Sequence, residues 1–225
     1  KREPARYPGA DAVSLATFTT TDRALDVISL RLVLPLRGAW WATIEVDAMP
    51  DEAPKDGSEA RLSIAGVGSA GRAWLGYIVR SRAWHGRTRL FFEAGKTGMR
   101  APLLARSYSS ALLRTIAEHA ISEAGELLAP ASLAPTDVLE SYTRAATSAG
   151  VALTHAIKSR GIGWRFTDDG EVLLLRETWP DADTTDVLEV EPFDDAGSTT
   201  TEPLAPTLSP GSMWHGRRIE RVVYT

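Results

Sequence analysis

The chain predicts an α+β fold, mainly β, in which two small barrel or sandwich parts flank an intervening pair of helices. Three observations carry this reading. Short runs of alternating apolar and polar residues fill the first hundred positions. An apolar period of three to four replaces them between Ser110 and Gly161. Alternation then returns after Trp164. Residues 1–100 are expected to form a first β-barrel domain. Residues 101–225 are expected to form a helical segment plus a second barrel part, with the C-terminal strand having the option of returning to the first barrel.

The elements follow in order. Leu25 to Leu36 is rich in Val, Ile and Leu and ends at Pro35 and Gly38, as a strand closing in a turn does. Trp41 to Asp47 alternates, with Ala42, Ile44 and Val46 on one face and Thr43, Glu45 and Asp47 on the other. Met49 to Ser58 is a charged loop with two prolines and a glycine. Arg61–Ala65, Ala73–Arg82 and Thr88–Glu93 are further strands, joined at Gly66–Gly71 and at His85-Gly86. From Ser110, the apolar residues Leu112, Leu113, Ile116, Ala117, Ala120, Ile121 and Ala124 recur at helical spacing, with Ser109 or Ser110 as cap and Gly125 as the stop. A second helix is expected from Asp137, whose Asp137-x-x-Glu140 pattern resembles a capping box, running through Val151 and His155 to Gly161. Trp164–Thr167, Asp168-Asp169-Gly170 and Glu171–Leu175 read as a β-hairpin with a type I′ turn. Leu188–Glu191 and Arg217–Tyr224 complete the strands.

Composition narrows the function. The absence of cysteine excludes a disulfide scaffold, a thiolate metal site and a cysteine nucleophile. A pI near 5.6 argues against a dedicated nucleic-acid binder. No apolar run is long enough to span a membrane, and the start, Lys1-Arg2-Glu3-Pro4, leads to no expectation of a secretory signal. Gly66-Val67-Gly68-Ser69-Ala70-Gly71 matches the dinucleotide glycine pattern, yet strand-like Ala73–Val79 follows where a helix must open, so a hairpin loop is the reading. Gly95-Lys96-Thr97 lacks the first glycine of a phosphate loop, since position 90 is Leu90. His85, His119, His155 and His215 are isolated, which leaves zinc without support. Asp181-x-Asp183-x-x-Asp186 lacks the glycine and distal Glu of a calcium loop, and Asp168-Asp169 is explained by its turn. No cofactor, metal or catalytic set is expected. Charge is segregated: 166–202 holds 12 acidic residues against the single basic Arg176, while the remainder carries 24 basic and 17 acidic. Complementary patches of that kind steer docking between copies.

The order of Gly38–Asp47, Arg61–Ile64, Ala73–Val79, Gly86–Leu90 and Glu93-Ala94-Gly95 resembles the first β-barrel of baseplate hub proteins of tailed phages, relatives of the late control protein D and of type VI secretion spike N-termini. Gly163–Val172, Leu208-Ser209-Pro210-Gly211 and Gly216–Val222 extend the likeness over residues 20–225. The resemblance implies a non-enzymatic ring subunit, in the family usually a homotrimer, located in the virion tail. Its partners would be itself, the tail tube or distal tail protein, and a spike, fibre or tape-measure protein, with DNA only as passing cargo. Trp41, Trp84, Trp164 and Trp214 are the candidate contact anchors, together with Asp181, Asp183 and Asp186. The acidic 166–202 region is expected at a lumen or subunit boundary. The alternatives are a carbohydrate-binding module using exposed tryptophans such as Trp84 or Trp214, and a cell-wall-acting tail module, for which no reaction centre is apparent.

Overall fold

The computed structural model describes residues 16–65, 71–176, 188–191, 200–202, 208–214 and 216–225. Six strands come first: β1 (Ala16–Thr20), β2 (Ala24–Pro35), β3 (Trp41–Val46), β4 (Glu59–Ile64), β5 (Arg72–Trp84) and β6 (Arg87–Ala94). They pair antiparallel in the order β1-β4-β5-β6-β3-β2, and β1 also pairs with β2, which closes the sheet into a barrel. The alternation of β3 is realised: Ala42, Ile44 and Val46 are buried, and Trp41, Thr43 and Glu45 are half-buried on the outer face. The interior is filled by Phe18, Leu32, Ile44, Leu62, Trp74, Ile78, Leu90 and Phe92, all fully buried. Each such side chain contributes about 2–3 kcal/mol. β1 has little signal of its own in the sequence, since Phe18 is its single large apolar residue; that ring meets Phe92 edge-on at 5.1 Å. Pairing slips by one residue between Val27 and Ser29 on β2, and between Ile78 and Arg80 on β5. Such bulges add local bend and twist, which help a narrow sheet meet its own edge.

Next come β7 (Pro102–Leu103), β8 (Arg106–Leu112), α1 (Leu113–Glu123), β9 (Val138–Arg144), β10 (Thr147–Ser148) and α2 (Ala149–Ile157). β8 pairs with β9 and β7 with β10. Two sequence expectations are corrected here. Ser109 and Ser110 do not cap a helix but lie in β8, and α1 starts at Leu113. The segment after Asp137 is strand, and helix begins only at Ala149. The physical reason is tertiary. Ser109 lies opposite Ser141 and Leu112 opposite Val138, so each segment satisfies the other's backbone groups, and a window on either one cannot show that. α1 stops as expected, with Gly125 at φ 75°.

β11 (Ile162–Phe166) and β12 (Val172–Arg176) form the expected hairpin. Its turn is not type I′. Only Gly170 has positive φ (75°), the Gly170 amide donates to Thr167 O, and Thr167 N donates to Glu171 O, a wider turn with one left-handed residue. The chain closes with β13 (Leu188–Glu191) pairing with β14 (Thr200–Glu202), β15 (Met213–Trp214) pairing with β16 (Arg217–Arg218), and β17 (Arg221–Tyr224). β17 pairs with Leu32–Pro35 of β2, beside the stretch where β1 pairs with Ala24–Asp26. Among the described residues one sheet closes into a barrel, and the other pairings are two-stranded ribbons. The ribbons and helices share the barrel's core: Leu113, Ile116, Leu153, Trp164, Phe166 and Leu174 belong to one hydrophobic cluster with Trp40 and Phe92.

Candidate interaction face

The barrel wall of β3, β6 and β5 gathers arginine and aromatic side chains on its outside. The β5–β6 hairpin turns at His85 and Gly86, with φ of 47° and 78°. This sets Arg80 opposite Phe91, Arg82 opposite Arg89 and Trp84 opposite Arg87. Thr43 and Glu45 of β3 continue these rows beyond Phe91 and Arg89. The bulge at Val79 decides the composition of the face. Ile78 points inward, so without the extra residue Arg80 and Arg82 would also point into the barrel.

Trp84 is 42% exposed, and the Arg89 guanidinium lies 3.7 Å from its ring centroid. Trp41 packs against Phe91 at 5.9 Å, and the Arg100 guanidinium lies 5.9 Å from the Phe91 ring. Val79, Trp84, Phe91 and Arg100 line an open groove of about 670 Å³. Arg80, Arg82, Arg87, Arg89 and Arg100 share the face with Glu45 and Glu93, and the Asp56 carboxylate accepts the Ser81 amide between Arg80 and Arg82 at 2.6 Å. Glu45 lies 3.5 Å from Arg87 and 3.8 Å from Arg89. Glu93 is buried and held by Arg100 at 2.9 Å. Burial pushes the Glu93 carboxyl up, against the lowering effect of Arg100. Arg80 and Arg82 have no carboxylate partner among the described residues. Arg82 stands directly across from Arg89, and like charges so placed disfavour a sheet by roughly 0.2–1 kcal/mol.

A second polar cluster fastens the C-terminal part to the barrel. Arg72 holds Asp168 in two bonds of 2.6 and 2.7 Å and reaches Ser209 Oγ at 3.0 Å. Arg165 donates to Pro210 O at 2.9 Å. Burial lowers the Arg165 pKa, with the nearby Arg72 charge acting in the same direction. Asp168 therefore does more than shape its turn, which is all the sequence reading assigned to it. The buried joint between β6 and the helical segment is made by Glu126. Its carboxylate accepts the Lys96 amide at 3.0 Å and the Gly98 amide at 2.7 Å.

The structure brings Trp41 and Trp84 to one face and sends the other candidates elsewhere. Trp164 is an internal anchor, not a surface residue: it is 9% exposed and donates Nε1–H to Thr154 Oγ1 at 2.9 Å. Trp214 is half-buried on β15. Asp181, Asp183 and Asp186 lie outside the described residues, as do His215 and most of the Gly66–Gly71 loop. His85 stands in the hairpin turn, His119 stacks on Tyr108 at 5.9 Å, and His155 is exposed on α2. Among the described residues no three His, Asp or Glu side chains group to hold a metal, and no helix is long and apolar enough to cross a membrane. The arginines of the face were missed in the sequence. Their signal is the alternation of Arg80, Arg82 and Trp84 with Arg87 and Arg89 about the His85-Gly86 turn.

No family model and no curated protein matches the chain. Several solved structures resemble it, among them these three. The 43 kDa tail protein of prophage MuSo2 from Shewanella oneidensis has a TM-score of 0.58 at 11% identity over 74% of this chain and 56% of its own. The tail protein from Neisseria meningitidis MC58 has a TM-score of 0.52 at 13% identity, over 78% and 52%. An Escherichia coli type VI secretion system component, described as similar to the T4 bacteriophage tail proteins gp27 and gp5, has a TM-score of 0.52 at 12% identity, over 70% and 47%. The chain spans about half the length of each of these proteins. Its fold, a closed six-stranded barrel with two short helices, is one these tail proteins share.

Proposed function

We propose that the chain is a structural subunit of a phage-type tail, a hub that assembles with itself as a ring, most simply a trimer, between the tail tube and the distal spike or fibre. The observation that carries this reading is the barrel with its packed hairpin and helices, which follows tail proteins over 70–78% of the chain. The surface supports it. An outer wall with two indoles and five arginines is suited to protein contact, where tryptophan and arginine dominate binding energy. In this reading the role is structural, the ring lets the genome or tape-measure protein pass, and the location is the virion tail.

The carbohydrate-binding alternative has less to stand on at Trp84, because Arg89 occupies a face of its ring at 3.7 Å. Sedimentation velocity combined with electron microscopy of the purified chain, alone and mixed with tail-tube protein, tests the hub reading. Annular oligomers, or rings capping the tube, are expected. A chain that remains monomeric and ignores the tube would overturn it.

A further inference from the structure

We propose that the arginine–aromatic groove of one copy receives the acidic segment 177–202 of a second copy. The inference rests on the reading that the chain assembles with itself, and it names the two surfaces that meet. The segment carries nine acidic residues and no basic one, and it includes Trp179 and Phe193. The groove offers the complement: Arg80 and Arg82 without carboxylate partners among the described residues, Arg82 set against Arg89, and an apolar floor of Val79 and Phe91. An anionic occupant relieves that like-charge pairing and fills the groove between the rings.

Geometry favours a second copy over the same one. The groove lies toward the His85-Gly86 turn of β5–β6. The described residues that follow the segment are fastened at the far end of β5, where Arg72 reaches Ser209. From Arg72 to Arg82 is ten residues of strand, about 33 Å at roughly 3.3 Å per residue. From Ser209 the chain would have to run that length of wall to bring the acidic segment to the groove of its own copy. Between copies the same two surfaces give a head-to-tail contact, which builds a closed ring when the rotation per subunit allows.

The test places the photoreactive residue p-benzoylphenylalanine at Trp84 and irradiates a mixture of nitrogen-14 and nitrogen-15 labelled full-length chains. Cross-links from position 84 into 177–202 that join a light to a heavy chain are expected. Cross-links confined to one label would mean a fold-back, and cross-links elsewhere or none would mean the groove is not the receptor; each overturns the proposal. R80E/R82E should lose the mixed cross-links and weaken self-association about tenfold at low salt. Adding D181R/D183R/D186R in the same chain should restore both. D181N/D183N/D186N, which leaves the barrel untouched, should weaken association if the barrel variant fails to fold. A ring that forms normally without these cross-links sinks the docking and leaves the hub reading standing.

Discussion

Replacing Glu126 tests whether the barrel and the helical segment are joined where the structure joins them. The side chain is 5% exposed, and its two oxygens are the acceptors for the Lys96 and Gly98 amides. Glu126→Ala leaves two buried donors without a partner, at about 1–3 kcal/mol each. Part of this is returned because a buried carboxylate is no longer required. The net loss is about 2–4 kcal/mol, and at this chain length each kcal/mol moves Tm by about 2–4 °C. Glu126→Ala should therefore melt about 5–15 °C lower, followed by circular dichroism. Glu126→Gln keeps one carbonyl oxygen for the two amides and should cost about 1 kcal/mol. The pH profile supplies a second reading. Burial raises this carboxyl above its ordinary 4.5, with the Lys96 and Gly98 amides opposing the rise. A carboxyl raised in the folded state holds its proton better folded than unfolded. The resulting stability is fully present below pH 4.5 and is lost as pH rises through the folded value. The Gln variant has no such loss, so the gap between the two stability curves should change over that window and flatten above it. An Ala variant that melts within about 1 °C of the parent would show that the turn does not depend on this carboxylate.

Three further outcomes are expected. Trp164→Ala removes an indole packed at 6.1 Å on Phe166 and bonded to Thr154, and should lose about 3–5 kcal/mol in urea denaturation; a loss near zero would make the indole a surface group. Gly170→Val forces a β-branched residue to φ 75° and brings its Cβ 2.9 Å from Leu75 O, so Tm should fall with a cost of about 2 kcal/mol or more, while an unchanged melt would refute the turn geometry. Burial raises the Tyr224 hydroxyl to about 12, so stability should decline between pH 10 and 12 as the pH climbs from the ordinary to the folded value, and the last step of phenolate absorbance should vanish in Tyr224→Phe.

The parts of the fold that were legible are those where one segment carries its own period. Ala42, Ile44 and Val46 declare an inner face, and Ile116, Ala117, Ala120 and Ile121 a helix stripe, because each pattern is complete within a few residues. The parts that were illegible depend on a distant partner. Ser109–Leu112 and Val138–Ser141 become strands only because they face each other, and Asp137-x-x-Glu140 is a local capping pattern that the pairing overrides. The arginine–aromatic face was hidden for a subtler reason. Read by strict alternation from Ile78, Arg80 and Arg82 fall on the inner side; a single inserted residue, Val79, reverses them. Trp41 and Trp84 were candidates in the sequence because indoles on strands are conspicuous in themselves. Which indoles share a wall is a matter of register, and Trp164, equally conspicuous, is spent inside the chain.

In the proposed ring, charge connects the barrel to assembly. A face of five arginines against Glu45, Asp56 and the buried Glu93, which is committed to Arg100, carries an excess of positive charge among the described residues. Stability alone would select a different surface, since setting Arg82 across from Arg89 weakens the sheet it stands on. The segment 177–202 carries more negative charge than one such groove can balance. If it docks on a neighbour, part of its charge meets arginine at the subunit boundary and the rest faces a lumen or solvent. Were the proposed ring to enclose a passage for nucleic acid, that remainder would serve it, because an acidic wall repels phosphate and does not retain it. One acidic segment then suits both places the sequence suggested for it, with the groove deciding which carboxylates are neutralised.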